Sequence, residues 1–553
     1  MKPNILFVSL PNVPIETISE NLSANEFVTI KNYIPLGILY ISSYLKENNE
    51  LGRVGIVDYV ANFEELKGCK NVNDFIVKVA LKEVDFTPDI IMFSLMFSVS
   101  HIFCMRVVES LRDLWASSTI VIGGVHATNC TEQLLQSKRI NYVVRGEGEK
   151  ALSDFIKQFS HAQTINVKGI YSQKELNSDG AYDICEYIYD LDSIPFPDWD
   201  LIAMNLYTQT RYVTVQGSEK DNGNVRSAVI QTTRGCPGKC TFCSQHTVHG
   251  RSMRYRTADN VIEEMKLLHE RFNVTTFVPN DDMFISKRTR DLDLLERIKK
   301  LNIPNRELQF PNGLHINSLS PQVMDAMMDT GAKVVNLAIE SGSEYVQKNV
   351  IKKRVNLKKA REVVSYLRDR GIYVRCFFII GFPGETKEQM LETIEYAKSL
   401  NADWCDFFLA TPLIGTEIYD QFVEMGYIKK DKPAWSRAHF FGRTFDTKEI
   451  SAAEITELAY RANLECNFIN NPNKRSGNYE RAISLFESIL ARYPFHVVAW
   501  YSMMECFQAL RNMEKVEAIK QEIKELIRTN PLASDMYNKY KDLMVKSEKS
   551  PIV

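Results

Sequence analysis

The chain has 553 residues, 45% hydrophobic and 25% charged, with a net charge of −2. That length suggests about three or four domains. The near-neutral balance excludes a general pull toward nucleic acid or an anionic membrane, and no apolar run reaches the ~18 residues that span a bilayer.

The opening "MKPNILFVSLPN" reads as a first buried strand, Ile5 to Leu10 closed by Pro11, rather than a leader. From 1 to 160, apolar runs alternate with helical patterns: "NILFVSL", "RVGIVDYV", "DIIMFSLMF", "TIVIGGVH" and "NYVVRGEGE", with helices such as "PLGILYISSYLKEN" between them. Near-continuous Val/Ile/Leu strands separated by helices predict a doubly wound, Rossmann-like parallel sheet covered on both faces. Ligands of such sheets sit beyond the carboxyl ends of the strands. Here those ends carry "SLPNVP", Gly123–His126 and Gly146–Glu149.

Residues 161–226 are less regular and read as a linker, with a packed "LDSIPFPDWDLI" and an exposed loop at Gly217–Asn224. From 227 to 430 a strand–helix alternation repeats six times: "SAVIQTT", "TTFVPND", "LQFPNGLHI", "KVVNLAIES", "YVRCFFIIG" and "WCDFFLATP". Six units predict a partial (β/α)6 barrel. Its odd residues fall at the strand ends: Cys236, Cys240, Cys243, Asp281, Asp282, Asn312, Glu340, Ser341, Gly381 and Gly384. Residues 431–553 are helical, with two tetratricopeptide-like stretches ending at Pro494 and Pro531. The fold class is therefore α/β with an α-helical C-terminal region.

Eleven cysteines without a leader suit a reducing cytoplasm, where thiols stay free or bind metal. Three of them crowd into "TTRGCPGKCTFCSQ". A zinc site would want a fourth ligand, which His246 or His249 could give. A [4Fe–4S] cluster held by three thiols instead keeps one iron open to a cosubstrate. Cys376 and Cys405 lie in apolar strands and read as small core residues. Arg251, Arg254 and Arg256 read as a solvated loop, as do Lys352, Lys353 and Arg354; Trp404 reads as packing, and Trp435 as a pocket candidate.

The Cys236/Cys240/Cys243 spacing, with Phe242 before the last thiol, resembles the radical S-adenosylmethionine (SAM) superfamily. The resemblance continues through "RTADNVIEEM", "AIESGSE", "GFPGETKEQMLETIEYAKSL" and "TPLIGTEIY". With the upstream "IPLGILYISSYL", "IVIGGVHAT" and "VVRGEGEKAL", it is similar to the subgroup with an N-terminal cobalamin-binding-type domain. It covers roughly residues 1–430. It implies a [4Fe–4S] cluster whose open iron binds SAM, one-electron cleavage to a 5'-deoxyadenosyl radical, and hydrogen abstraction from a substrate. It also implies SAM contacts from Asp282 or Asp281 (here in "NDDM", where relatives carry a Gly-Gly-Glu-like motif), from Glu340 and Ser341, and from the backbone at Gly381 and Gly384.

The resemblance implies cobalamin and methyl transfer to an unactivated carbon; the substrate reads as a small molecule or natural product, with a peptide second because of the helical repeat. The familiar Asp-x-His-x-x-Gly cobalamin fingerprint does not appear after the first strand, where "SLPNVPIETIS" has no histidine; His126 follows the fourth strand and reads as structural. Without cobalamin, the resemblance implies a radical rearrangement, cyclisation or dehydrogenation. Other readings are a tRNA methylthiotransferase, for which Cys69, Cys104 and Cys130 would have to hold a second cluster, and a non-enzymatic zinc or scaffold protein. An electron donor such as flavodoxin or ferredoxin is expected, with no nucleic-acid partner and no membrane.

Overall fold

The computed structural model describes residues 2–23, 33–159, 165–176, 182–208, 226–430 and 442–545. The loop expected at Gly217–Asn224 and Trp435 lie outside the described residues. The chain forms two compact units: Met1–Thr210 with Arg226–Phe284 and Thr411–Ala438, and Arg211–Val225 with Ile285–Ala410 and His439–Val553.

The first unit opens with a sheet of six strands: β1 (Ile5–Ser9), β2 (Val54–Asp58), β3 (Ile90–Ser94), β4 (Thr119–Gly123), β5 (Tyr142–Val144) and β6 (Ile170–Tyr171). Their spatial order is β2-β1-β3-β4-β5-β6. The first five are parallel, and β1 lies between its partners in the register Ile5↔Val54 and Ile5↔Ile90. Successive side chains of a strand point to opposite faces, so "ILFV" feeds two cores. Leu6 and Val8 join Phe75, Phe103, Ile91 and Ile122 on one face, whereas Ile5 and Phe7 join Ile38, Leu152, Phe155 and Val121 on the other. Burying each such side chain contributes about 1.5–3 kcal/mol. The antiparallel β6 comes from the segment read as irregular; two residues are too few for a visible alternation.

The same unit holds the first two of the six repeated strands. β7 (Ser227–Ile230) pairs in parallel with β10 (Thr276–Pro279), Ser227 opposite Thr276. The crossover helix Ala258–Phe272 starts where the Thr257 hydroxyl accepts from the Asn260 N–H, and stops at Asn273 in the left-handed region, φ 57°. Between them, β8 (Thr233–Arg234) and β9 (Arg254–Tyr255) pair antiparallel. This small clasp closes the ends of the cysteine loop.

The second unit carries a short β11 (Glu307–Leu308), then β12 (Phe310–Leu314), β13 (Val334–Glu340), β14 (Tyr373–Ile380) and β15 (Trp404–Leu409). The last four form a parallel sheet in chain order. The six strands expected after Ser227 are thus β7, β10, β12, β13, β14 and β15. Helices 479–492, 497–509, 513–529 and 531–545 build a core around Phe486, Tyr501 and Met504 that continues onto Val334, Tyr373 and Trp404 of the sheet. Trp404 is a packing residue, 5.6 Å from the ring of Phe468. At the outer strand the Asn467 side chain accepts from the Cys405 N–H and donates to the Cys405 carbonyl, both at 2.8 Å. Among the described residues no helix is long and apolar enough to cross a membrane.

Candidate active site

The cysteine loop departs from β8 through Gly235, φ 91°, where an added Cβ would lie 2.3 Å from the Ser252 carbonyl oxygen. Only glycine fits that turn. The Cys236 N–H donates to the Gly250 carbonyl, folding the loop back on itself. Gly238 then brings sulfurs together: a Cβ on it would stand 3.3 Å from Cys236 Sγ and 3.7 Å from Cys240 Sγ. Burial pushes the Cys243 thiol up to about 11, a Gln245 N–H pulls it down, and Cys240, Asp282 and Cys236 add to the rise. The two other thiols and a carboxylate therefore lie within electrostatic reach of Cys243 and oppose its charge. Such a donor set fits a cationic guest: a cluster on three thiolates, and a cosubstrate bearing ammonium and sulfonium groups. The neighbouring histidines have other partners, since His246 Nδ1 lies 3.1 Å from the Cys243 carbonyl and His249 Nδ1 lies 2.7 Å from Glu147. Among the described residues, no group of three or more His, Cys, Asp or Glu is spaced to hold a single metal ion.

The two aspartates after β10 differ in their surroundings. Asp281 is buried, and its carboxylate accepts from the Thr232 and Thr233 N–H groups and from both threonine hydroxyls. It holds the turn that leads into the cysteine loop. Asp282 is raised by burial against the pull of His249 and a Gly235 N–H, and its Oδ2 is buried without a hydrogen-bond partner among the described residues. An orphaned carboxylate oxygen beside three thiols fits an incoming ammonium.

Beneath the loop lies a layer of buried charge that the sequence reading missed. Glu147 accepts from Arg234 at 3.1 Å, from Arg254 Nη1 at 2.8 Å and Nη2, and from His249; Glu149 accepts from Arg234 at 2.6 Å. All four arginine and glutamate side chains are no more than 6% exposed. Burial pushes Glu147 up, but Arg234, Arg254 and His249 outweigh it and hold the carboxyl well below the usual range. Arg256 pairs with the fully buried Glu264. Of the three arginines read as solvated, only Arg251 is exposed. The alternation Arg254-Tyr255-Arg256 was the available signal, because spacing by two puts both guanidinium groups on one face of a strand.

At the carboxyl end of the first sheet, Gly124 has φ 109°, and a Cβ there would lie 2.6 Å from the Leu95 carbonyl oxygen. Met96 and Phe97, beyond β3, are 44% and 47% exposed. Two large apolar side chains presented at the ligand end of such a sheet suit a broad, partly apolar macrocycle. His126 does not face that ligand freely: Nδ1 meets Ser98 Oγ at 2.9 Å and Nε2 meets His101 Nδ1 at 3.0 Å. Burial lowers His126 to about 3 and His101 to about 4, so both stay neutral. Cys69 donates to the Glu65 carbonyl, Cys104 and Cys130 are buried, and Cys130 Sγ lies 3.6 Å from His126 Nδ1.

In the second unit, Asn312 is exposed on β12. Glu340 ends β13 in the left-handed region, φ 72°, and receives Lys353 at 2.7 Å, with both side chains below 10% exposure. Lys353 is thus a largely covered ion-pair partner, not part of a solvated run. Ser341 is fully buried and shares a 2.9 Å hydrogen bond with the Thr393 hydroxyl. Gly381 and Gly384, φ 83° and 74°, shape the turn after β14, where the buried Glu385 accepts from the Gly381 and Phe382 N–H groups at 2.6 and 3.0 Å.

These features agree with what the chain resembles. A family model described as the radical SAM superfamily matches residues 230–397, and one described as the B12 binding domain matches 31–156. An uncharacterised methyltransferase of Pyrococcus horikoshii is 28% identical over 431 residues, 77% of this chain and 86% of the relative. The cytidylyl-2-hydroxyethylphosphonate methyltransferase of Streptomyces wedmorensis is 27% identical over 479 residues, 78% of this chain and 86% of the relative. The cobalamin-dependent SAM radical enzyme OxsB, solved with aqua-cobalamin and SAM bound, superposes with a TM-score of 0.63 at 16% identity, over 98% of this chain and 83% of its own. With Cys236, Cys240 and Cys243 in the matched segment and a doubly wound sheet ahead of it, the chain carries a radical SAM domain over residues 230–397 preceded by a B12-binding domain over residues 31–156.

Proposed function

We propose that the protein is a cobalamin-dependent radical SAM methyltransferase that methylates an unactivated carbon of a small molecule. The observation that carries this reading is the loop where Cys236 and Cys240 flank Gly238, with Cys243 in electrostatic reach of both and of Asp282, whose Oδ2 is buried without a hydrogen-bond partner among the described residues. The three thiols would hold the [4Fe–4S] cluster, Asp282 would accept from the amino group of SAM, and the face bearing Met96 and Phe97 would receive cobalamin. When bound, these groups supply one-electron cleavage of SAM and a carrier for the methyl group. The protein's own work is placement. Asp281 fixes the turn before the loop, and Gly235 and Gly238 let the backbone bring the thiols together. Asn312, Glu340 with Lys353, buried Ser341 and the Gly381–Gly384 turn are proposed to hold the rest of SAM.

A small-molecule substrate is supported by the Streptomyces wedmorensis relative, whose name specifies a nucleotidyl phosphonate. The buried apolar residues of the C-terminal helices pack on one another and on Val334, Tyr373 and Trp404. Exposed Lys239 and Arg251 beside the thiols suit an acidic electron donor such as flavodoxin or ferredoxin.

The test is anaerobic reconstitution with iron, sulfide and hydroxocobalamin, followed by a SAM-cleavage assay. A brown protein that retains cobalamin and forms 5'-deoxyadenosine, with all cleavage lost in Cys240→Ala, is expected. A colourless protein that keeps one zinc ion would overturn the proposal.

A further inference from the structure

We propose that Glu147, a residue of the B12-binding domain, is the positioning residue for the cysteine loop of the radical SAM domain. The inference deepens the reading above and rests on it. One carboxylate holds both ends of the loop: Arg234 stands two residues before Cys236, and His249 and Arg254 follow Cys243. Its oxygens are fully subscribed. Oε1 faces His249 Nδ1 and Arg254 Nη2, while Oε2 faces Arg234 Nη1 and Arg254 Nη1. With 5% of the residue exposed, no solvent stands ready to replace it.

The partners are unequal in what they keep if the charge is removed. Arg234 retains Glu149. Arg254 keeps only the Ile188 and His249 carbonyls and the face of the Tyr187 ring, 4.5 Å from its guanidinium carbon. A buried guanidinium with carbonyl partners alone is poorly compensated, so the β9 side of the clasp would shift. His249 also lies within electrostatic reach of Asp282, as do Glu147 and Arg234. The same carboxylate therefore adds, with His249 and Arg234, to the field at the oxygen proposed to meet SAM. Removing a group that orients a metal's ligands typically costs about 10–100-fold in metal affinity or activity. The Gly146-Glu147-Gly148 turn is thereby more than a glycine-rich approach to a ligand of its own domain.

The experiment uses the full chain, reconstituted anaerobically, with Glu147→Gln, His249→Ala, His249→Asn and the control Asp198→Asn. Asp198 is a partly buried anchor elsewhere in the same unit, accepting from Lys46 and Ser42, both at 2.6 Å. The readouts are iron retained under a chelator and the SAM concentration that half-converts the electron paramagnetic resonance signal of the reduced cluster. Glu147→Gln and His249→Ala should each raise that concentration about tenfold and shed iron faster. His249→Asn should recover most of the loss, because its amide N–H stands where Nδ1 stood, and Asp198→Asn should match the parent apart from its melting temperature. Parental iron retention and SAM response in both Glu147→Gln and His249→Ala overturn the inference while leaving the radical SAM reading intact. So does Asp198→Asn behaving like Glu147→Gln. If Glu147→Gln does not fold, the two His249 variants decide. A parent that builds no cluster overturns both the inference and the reading.

Discussion

The adjacent aspartates Asp281 and Asp282 should respond to substitution with opposite signs. In Asp281→Ala, the Thr232 and Thr233 N–H groups lose a buried acceptor. Each orphaned buried donor costs about 1–3 kcal/mol, so the pair amounts to about 4 kcal/mol, before counting the two hydroxyl contacts. Asp282→Asn instead removes a charge whose burial is uncompensated at Oδ2 and keeps the side-chain shape. Stability should hold or rise slightly. The proposed contact with the SAM ammonium would be weakened, and a charge-assisted hydrogen bond of about 1.5–3 kcal/mol corresponds to roughly a 10–100-fold rise in half-saturating SAM. Anaerobic thermal melts report the first effect, and SAM titration of the reduced cluster reports the second. The reasoning is refuted if Asp281→Ala melts with the parent, or if Asp282→Asn is as unstable as Asp281→Ala while binding SAM normally.

Burial pushes Glu385 up to about 7 from an ordinary 4.5. A raised carboxyl favours the folded state while protonated, so this contribution is complete below about pH 4.5 and lost as pH rises through about 7, up to about 3 kcal/mol. Glu385→Gln should remove that slope from melts across a pH series; an unchanged slope contradicts the assignment. The depressed His126 works in the other direction, adding stability above pH 6.5 that drains as pH falls, about 2 kcal/mol by pH 5. His126→Asn should flatten the acid limb of the same series, and an equally steep limb would count against a neutral buried ring. Asn467→Ala orphans the N–H and carbonyl of Cys405 and should cost about 2–4 kcal/mol in denaturant unfolding, with unaltered iron content.

The strands of both sheets were legible because a parallel strand buried on two sides must be apolar at nearly every position. "ILFVS" and "VVNLAIE" announce themselves, and the structure places them as β1 and β13. The cysteine loop stood out from spacing alone, with three thiols at Cys236, Cys240 and Cys243. What stayed hidden was long-range pairing of charge. Nothing local in "GEGE" says that Glu147 meets Arg254, 107 positions away, or that Lys353 folds back on Glu340. A charged residue looks solvated until its partner is known, and partners are fixed by topology. The clash-free Gly235 turn and the split between Asp281 and Asp282 likewise depend on which carbonyls and N–H groups the fold brings near.

The amide of Asn467 imitates one more strand beside β15, satisfying a backbone position that would otherwise face outward. Open sheet borders recruit other chains, so a fragment trimmed after the last βα repeat would carry a sticky margin and lose the apolar cover over Trp404. Attempts to obtain a minimal catalytic piece by deleting the helical tail should therefore yield aggregates, whatever the tail does for the substrate.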